Sequence, residues 1–123
     1  MQSEKQTTIA IVDDDHFLLE SLRDLLETFG VESRIYNSAD AFLVSGDLHR
    51  VNCVLADVKM PGTSGLDLLH AVVRQCGPPV CIMTSYTDNR TKAIATSSGA
   101  VAFLEKPLNS QDLIDFIAHA ADR

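Results

Sequence analysis

Four apolar runs in this chain end on groups able to do chemistry. Ile9-Ala10-Ile11-Val12 leads into Asp13-Asp14-Asp15, and Cys53-Val54-Leu55-Ala56 leads into Asp57. Val80-Cys81-Ile82-Met83 leads into Thr84-Ser85, and Ala102-Phe103-Leu104 into Glu105-Lys106-Pro107. Carboxylates gathered at one place repel, and either a raised pKa or a bound cation relieves them. Asp13, Asp14 and Asp57 offer hard oxygen donors without His or Cys, a set that favours Mg²⁺, with Mn²⁺ as a substitute. A carboxylate nucleophile, a divalent cation, a lysine and a hydroxyl together fit phosphoryl transfer onto Asp57. Singly each piece is ordinary: an Asp triplet caps a helix, a Thr satisfies backbone, a Lys before Pro is solvated. The conjunction carries the reading.

The elements that must position these groups follow from hydrophobic pattern. Strand-length apolar runs occur at Thr8–Val12, Val31–Tyr36, Val51–Ala56, Val80–Thr84 and Val101–Leu104. Several are apolar at successive positions, as strands covered on both faces are. Between them lie stretches of helical spacing. In the first, Leu18, Leu22, Leu25, Leu26 and Phe29 share one face and Gly30 follows as a stop. A second starts at Ser38, an N-cap, and buries Phe42 and Leu43. The third, after Thr63-Ser64, turns Leu66, Leu69, Val72, Val73 and Cys76 inward. The fourth, Asn89 to Ser98, has Ile94 as its one sizeable apolar residue and reads either as the most mobile element or as a plain exposed polar helix. The last follows Asn109 and carries Leu113, Phe116, Ile117 and Ala120, with Asp112 near its positive end.

Strands alternating with helices predict an α/β fold: a flavodoxin-like, doubly wound parallel sheet of five strands, order 2-1-3-4-5, with five helices. Ligands of such sheets bind outside the carboxyl ends of the strands. Strands 1, 3, 4 and 5 therefore bring carboxylates, a hydroxyl and an ammonium to one rim.

Composition narrows the partners. The 123 residues amount to one domain, 1–123, with 46% hydrophobic and 22% charged residues. A net charge of −7 is unsuited to neutralising phosphates along a broad face, so direct nucleic-acid binding is not expected. No apolar run reaches membrane-span length, and Met1 to Thr8 lacks a signal peptide's apolar stretch. No membrane partner is expected, and the reading is cytoplasmic. Cys53, Cys76 and Cys81 are an odd number without metal spacing and read as reduced packing residues. His16, in a first helical turn, reads as a surface histidine.

The same residues carry a family resemblance. Ile11-Val12-Asp13-Asp14-Asp15, Asp57-Val58-Lys59-Met60-Pro61-Gly62, Thr84-Ser85 and Phe103-Leu104-Glu105-Lys106-Pro107 resemble a response-regulator receiver domain of two-component signalling. Ser38-Ala39-Asp40-Ala41-Phe42-Leu43 and the segment from Gly99 to Pro107 are similar to the FixJ-like group. The resemblance spans essentially the whole chain. It implies that Asp57 is the phosphoacceptor, and that Asp14, Asp57 and the Lys59 backbone carbonyl hold Mg²⁺. Asp13 then acts through metal-bound water, Lys106 pairs with the phosphoryl group, and Thr84 moves to hydrogen-bond it. Phe103 occupies the place of the family's rotating aromatic, and the Lys106–Pro107 bond should be cis. Lys59 and Tyr86 flank the phosphoryl group and influence its lifetime.

Ser85 departs from the pattern, which has Ala or Gly there, and is expected to alter phosphorylation or dephosphorylation kinetics. The implied partners are a histidine kinase or phosphotransfer protein and an output, transcriptional in this group, through a domain of the parent protein. A phosphorylation-dependent homodimer through helix 4, strand 5 and helix 5 is also implied. The chain would be a switch with slow self-dephosphorylation rather than an enzyme. Two rivals are a receiver-shaped interaction module that takes no phosphate and an aspartyl-phosphate hydrolase. The second calls for an Asp two residues after the nucleophile, where Lys59 stands.

Overall fold

The computed structural model describes residues 7–85 and 88–121. Five strands and five helices alternate: β1 (Thr8–Val12), α1 (His16–Glu27), β2 (Glu32–Tyr36), α2 (Ala39–Ser45) and β3 (Cys53–Asp57) come first. Then follow α3 (Gly65–Arg74), β4 (Val80–Thr84), α4 (Asn89–Ser97), β5 (Ala102–Glu105) and α5 (Ser110–Ala121). The strands form one sheet in the order β2-β1-β3-β4-β5, every pairing parallel. This is the expected topology. The three inner strands are buried at every residue, because helices cover both faces. The edge strand β2 is half-exposed and turns Glu32 and Arg34 outward.

The sheet divides the core in two. Ala10, Val12, Val54, Ala56, Ile82 and Phe42 belong to the layer under α2, α3 and α4. Ile9, Ile11, Leu55 and Met83 meet Leu19, Leu22, Leu26, Leu113 and Phe116 in the layer under α1 and α5.

Caps set the helix starts. The Asp15 side chain accepts from the Phe17 and Leu18 amides at 3.1 and 3.2 Å, and Ser38 Oγ from the Ala41 amide at 3.0 Å. Ser64 and Asp67 form a reciprocal capping box on α3, and Asn109 accepts from the amides of Gln111 and Asp112. Glu20, Arg23, Asp24 and Glu27 of α1 face water as the periodicity requires.

Three packing expectations are corrected. Phe29 lies beyond the end of α1 and is 54% exposed. The buried face of α3 is Gly65, Leu68, Leu69 and Val72, so Leu66 is half-buried and Val73 is exposed. Cys76 sits past the α3 cap with φ +56° and is exposed, not a packing residue, whereas Cys53 and Cys81 are buried. Burial pushes both of those thiols up to about 12, so they remain protonated and inert. In α4, Ala95 is buried while Ile94 is 41% exposed, which leaves that helix thinly anchored.

A polar brace closes the β2 side. Tyr36 Oη donates to Asp47 Oδ2 at 2.5 Å, Arg34 Nη1 reaches Asp47 Oδ1 at 3.3 Å, and the Tyr36 ring packs edge-on against Phe42. Burial and the Asp47 carboxylate raise the Tyr36 phenol to about 12. Phe42 is wholly buried at the centre of this side. Phe42→Ala should cost about 3–5 kcal/mol in urea denaturation, and Val44→Ala, on the outside of the same helix, less than about 0.5 kcal/mol.

Candidate functional site

The rim expected from strand ends is present. Asp13 follows β1 and its amide donates to the Tyr36 carbonyl at 3.1 Å, so β2 fixes its backbone. Its side chain is fully buried, with Oδ1 accepting from the Asp15 amide at 2.9 Å and Oδ2 from Lys106 Nζ at 2.6 Å. Asp57 is the last residue of β3, 8% exposed, with Oδ1 3.4 Å from Lys106 Nζ. Asp14 is exposed at the mouth. Oxygens of Asp13, Asp14 and Asp57 lie within 4.8 Å of one another.

The next strands supply the rest. The β4 end places Thr84, 5% exposed, whose carbonyl accepts from the Lys106 amide at 2.7 Å. That backbone bond ties the β5 end, and so Lys106, to β4. The Lys106–Pro107 peptide bond is cis. Lys59 is exposed on the loop after β3 and lines a groove together with Asp14. Phe103 pairs with Ile82 across the β4–β5 ladder and packs, half-buried, on the layer under α4. Ser85 is exposed beside Thr84. Tyr86 lies outside the described residues.

Comparison with known proteins places this geometry. The model of the response regulator receiver domain matches residues 9–118. The chain belongs to the response-regulator receiver family. It is 37% identical over 113 residues to the transcriptional regulatory protein FixJ of Bradyrhizobium diazoefficiens, covering 91% of this chain and 55% of that one. The transcriptional regulatory protein TdiR of Thauera aromatica is 35% identical over 112 residues, 90% of this chain and 49% of that protein. The solved structure of FixJ-N superposes with a TM-score of 0.85 at 29% identity, covering 98% of this chain and 97% of that one. The chain thus spans about half the length of the curated relatives it matches. Receiver domains are signalling proteins rather than enzymes in the ordinary sense; they interact with histidine kinases and output domains and generally bind Mg²⁺.

The receiver's acidic triad suits such a cation: three carboxylates, no softer ligand, one of them open to solvent. Burial, then the Asp13 charge, hold the Asp57 carboxyl above its usual range; Lys106 opposes and Asp14 adds to the rise. Burial works against the Lys106 ammonium, but its bonds to Asp13 and Asp57 prevail and its pKa is raised. His16 faces water and meets Glu20 at 2.9 Å, one turn along α1, as a surface histidine does.

Motif reading passed over Gly65. A Cβ there would stand 2.0 Å from the Asp57 carbonyl oxygen and 3.0 Å from Val58 Cα, while the Gly65 amide donates to the Val58 carbonyl at 3.0 Å. The first turn of α3 thus rests on the backbone of Asp57, which only a residue without a side chain permits. The sequence signal was the Gly following a Ser N-cap, whose reason is a contact across the loop.

Both the close seat and the crowded carboxylates can be measured. Gly65→Ala should destabilise the domain by about 1–3 kcal/mol in urea, through forced displacement of the Asp57 backbone. In chelator, the folded state holds the Asp57 proton more tightly than the unfolded chain does. Stability should therefore fall as pH climbs from the ordinary carboxylate range through the raised Asp57 value. Asp57→Asn should lack that decline, so the difference between the two denaturation free energies widens toward neutral pH. A flat difference would contradict the raised Asp57 value that burial and the Asp13 charge produce.

Proposed function

We propose that residues 1–123 act as one phosphoacceptor domain, taking a phosphoryl group on Asp57 from a phosphohistidine of a kinase or phosphotransfer protein. The observation that carries this is Asp57 at the β3 end, 3.4 Å from the Lys106 ammonium and grouped with Asp13 and Asp14. An Asp57 oxygen attacks phosphorus in line as the bond to the donor nitrogen breaks, and the nitrogen keeps the electron pair. Lys106 moves its charge from the two carboxylates toward the incoming phosphoryl oxygens. Asp14, Asp57 and the Lys59 carbonyl are the residues that would hold Mg²⁺ or Mn²⁺, with Asp13 acting through water. Bound there, the cation supplies positive charge that offsets the carboxylates and the phosphoryl oxygens.

Asp57 carries more negative charge and new acceptor oxygens once phosphorylated. Thr84 is drawn to donate to one of them, and Phe103 moves into the space it leaves. The thin anchorage of α4, with Ile94 exposed and Ala95 buried, supports a shift of that helix at low cost. The surface of α4, β5 and α5 then changes and serves a homodimer or an output. An output in transcription is supported by the curated relatives, FixJ and TdiR, which are transcriptional regulatory proteins. Ser85 and Tyr86, next to Thr84, and Lys59 tune phosphoryl lifetime, and the aspartyl phosphate is lost by slow self-hydrolysis. We place the protein in the cytoplasm, where such kinases present their phosphohistidine; among the described residues no helix is long and apolar enough to cross a membrane.

The test is intact mass after incubation with a small acyl phosphate and Mg²⁺. One phosphoryl group should appear, be removed by hydroxylamine, and fail to appear with chelator or in Asp57→Asn. A phosphoryl group retained by Asp57→Asn overturns the assignment, and continuous turnover of a phosphate ester would indicate a hydrolase instead.

A further inference from the structure

We propose that Asp40, which no motif of the site includes, is a positioning residue that holds the cation-binding loop through Thr63. The inference rests on the reading that the Lys59 carbonyl ligates the cation. Asp40 lies in the first turn of α2, an element that contributes nothing to the acidic triad. Its Oδ1 accepts from Thr63 Oγ1 at 2.7 Å, 23 residues further on, in the loop that joins β3 to α3. Its Oδ2 lies 3.6 Å from where a Cβ on Gly62 would stand, and Gly62 turns the loop at φ +79°. One carboxylate therefore faces two consecutive residues of that loop.

The loop is otherwise held near its ends and by Met60, whose side chain is buried in the layer under α2, α3 and α4. The Val58 amide donates to the Met83 carbonyl at 3.1 Å, and Ser64 is fixed as the cap of α3. Lys59 and Pro61 between them are exposed. A backbone carbonyl is a good ligand only when its peptide is already aimed, and partners bonded directly to a ligand change metal affinity by about 10–100-fold. The Asp40–Thr63 bond, exposed and four residues from Lys59, acts at the low end of that range. The bond from α2 adds a fixed point between Met60 and the α3 cap, and it stiffens the stretch that carries Lys59.

Removing Asp40 also removes a charge near a cation, so Thr63 gives the cleaner test. Mn²⁺ is titrated into the full chain and the free ion is followed by electron paramagnetic resonance, with folding checked by circular dichroism. Thr63→Val, which keeps the Asp40 charge, should weaken binding about tenfold, and Thr63→Ser should restore it to within about twofold. Asp40→Ala combined with Thr63→Val should bind no more weakly than Asp40→Ala alone, since both break one bond. If Thr63→Val binds like the unaltered chain, or the two changes add, while Asp14→Asn abolishes binding, the tether is refuted and the cation site stands. If the unaltered chain shows no saturable binding, or Asp14→Asn leaves it intact, the cation reading itself falls, and the positioning role with it.

Discussion

The site depends on an imbalance of charge. Asp13 and Asp57 leave water at the ends of neighbouring inner strands, with Asp14 at the mouth, and the Lys106 ammonium faces the two buried carboxylates together. One cation against three anions leaves the rim short of positive charge, and burial followed by the Asp13 charge raises the Asp57 pKa. Folding must hold this arrangement against its own repulsion. It does so with parallel strands buried on both faces, the Tyr36 carbonyl behind Asp13 and the first turn of α3 beneath Asp57. The excess negative charge makes the rim receptive to a divalent cation, and the rigid frame keeps the carboxylates from moving apart.

Much of this was legible in the linear sequence because the parallel sheet obeys local rules. Each apolar run stops where its strand leaves the core, so the residue after the run is at the carboxyl-end rim. Asp13, Asp57 and Thr84 were found by that rule, and Lys106 one residue further on, past Glu105. Strand limits shifted slightly: Val51 is buried but precedes β3, which extends to Asp57, and β5 runs to Glu105. Ser38, Asp15 and Asn109 cap helices as their short polar side chains suggest.

What was not legible depends on contacts distant in sequence. The α3 segment has apolar residues at 66, 68, 69, 72, 73 and 76, more than one stripe's worth, and periodicity alone does not choose among the faces. Gly65 chooses: its close seat on Asp57 turns Leu68, Leu69 and Val72 inward and leaves Val73 and Cys76 to solvent. The Tyr36–Asp47 and Asp40–Thr63 bonds likewise join positions that no spacing rule connects.

The central sheet also acts as a partition. Phe103 and α4 pack into one layer, while α1 and α5 share the other, and buried strands with fully paired backbones stand between them. In the proposed switch, repacking around Phe103 starts in the α4 layer and reaches α5 only at the sheet edge. It does so through β5, whose Ala102 and Leu104 face the other layer, while α1 lies across the buried strands. Under that proposal a molecule gripping the outer face of α1 meets nearly the same contour before and after the charge is transferred, and the message is read at the edge that α4, β5 and α5 share.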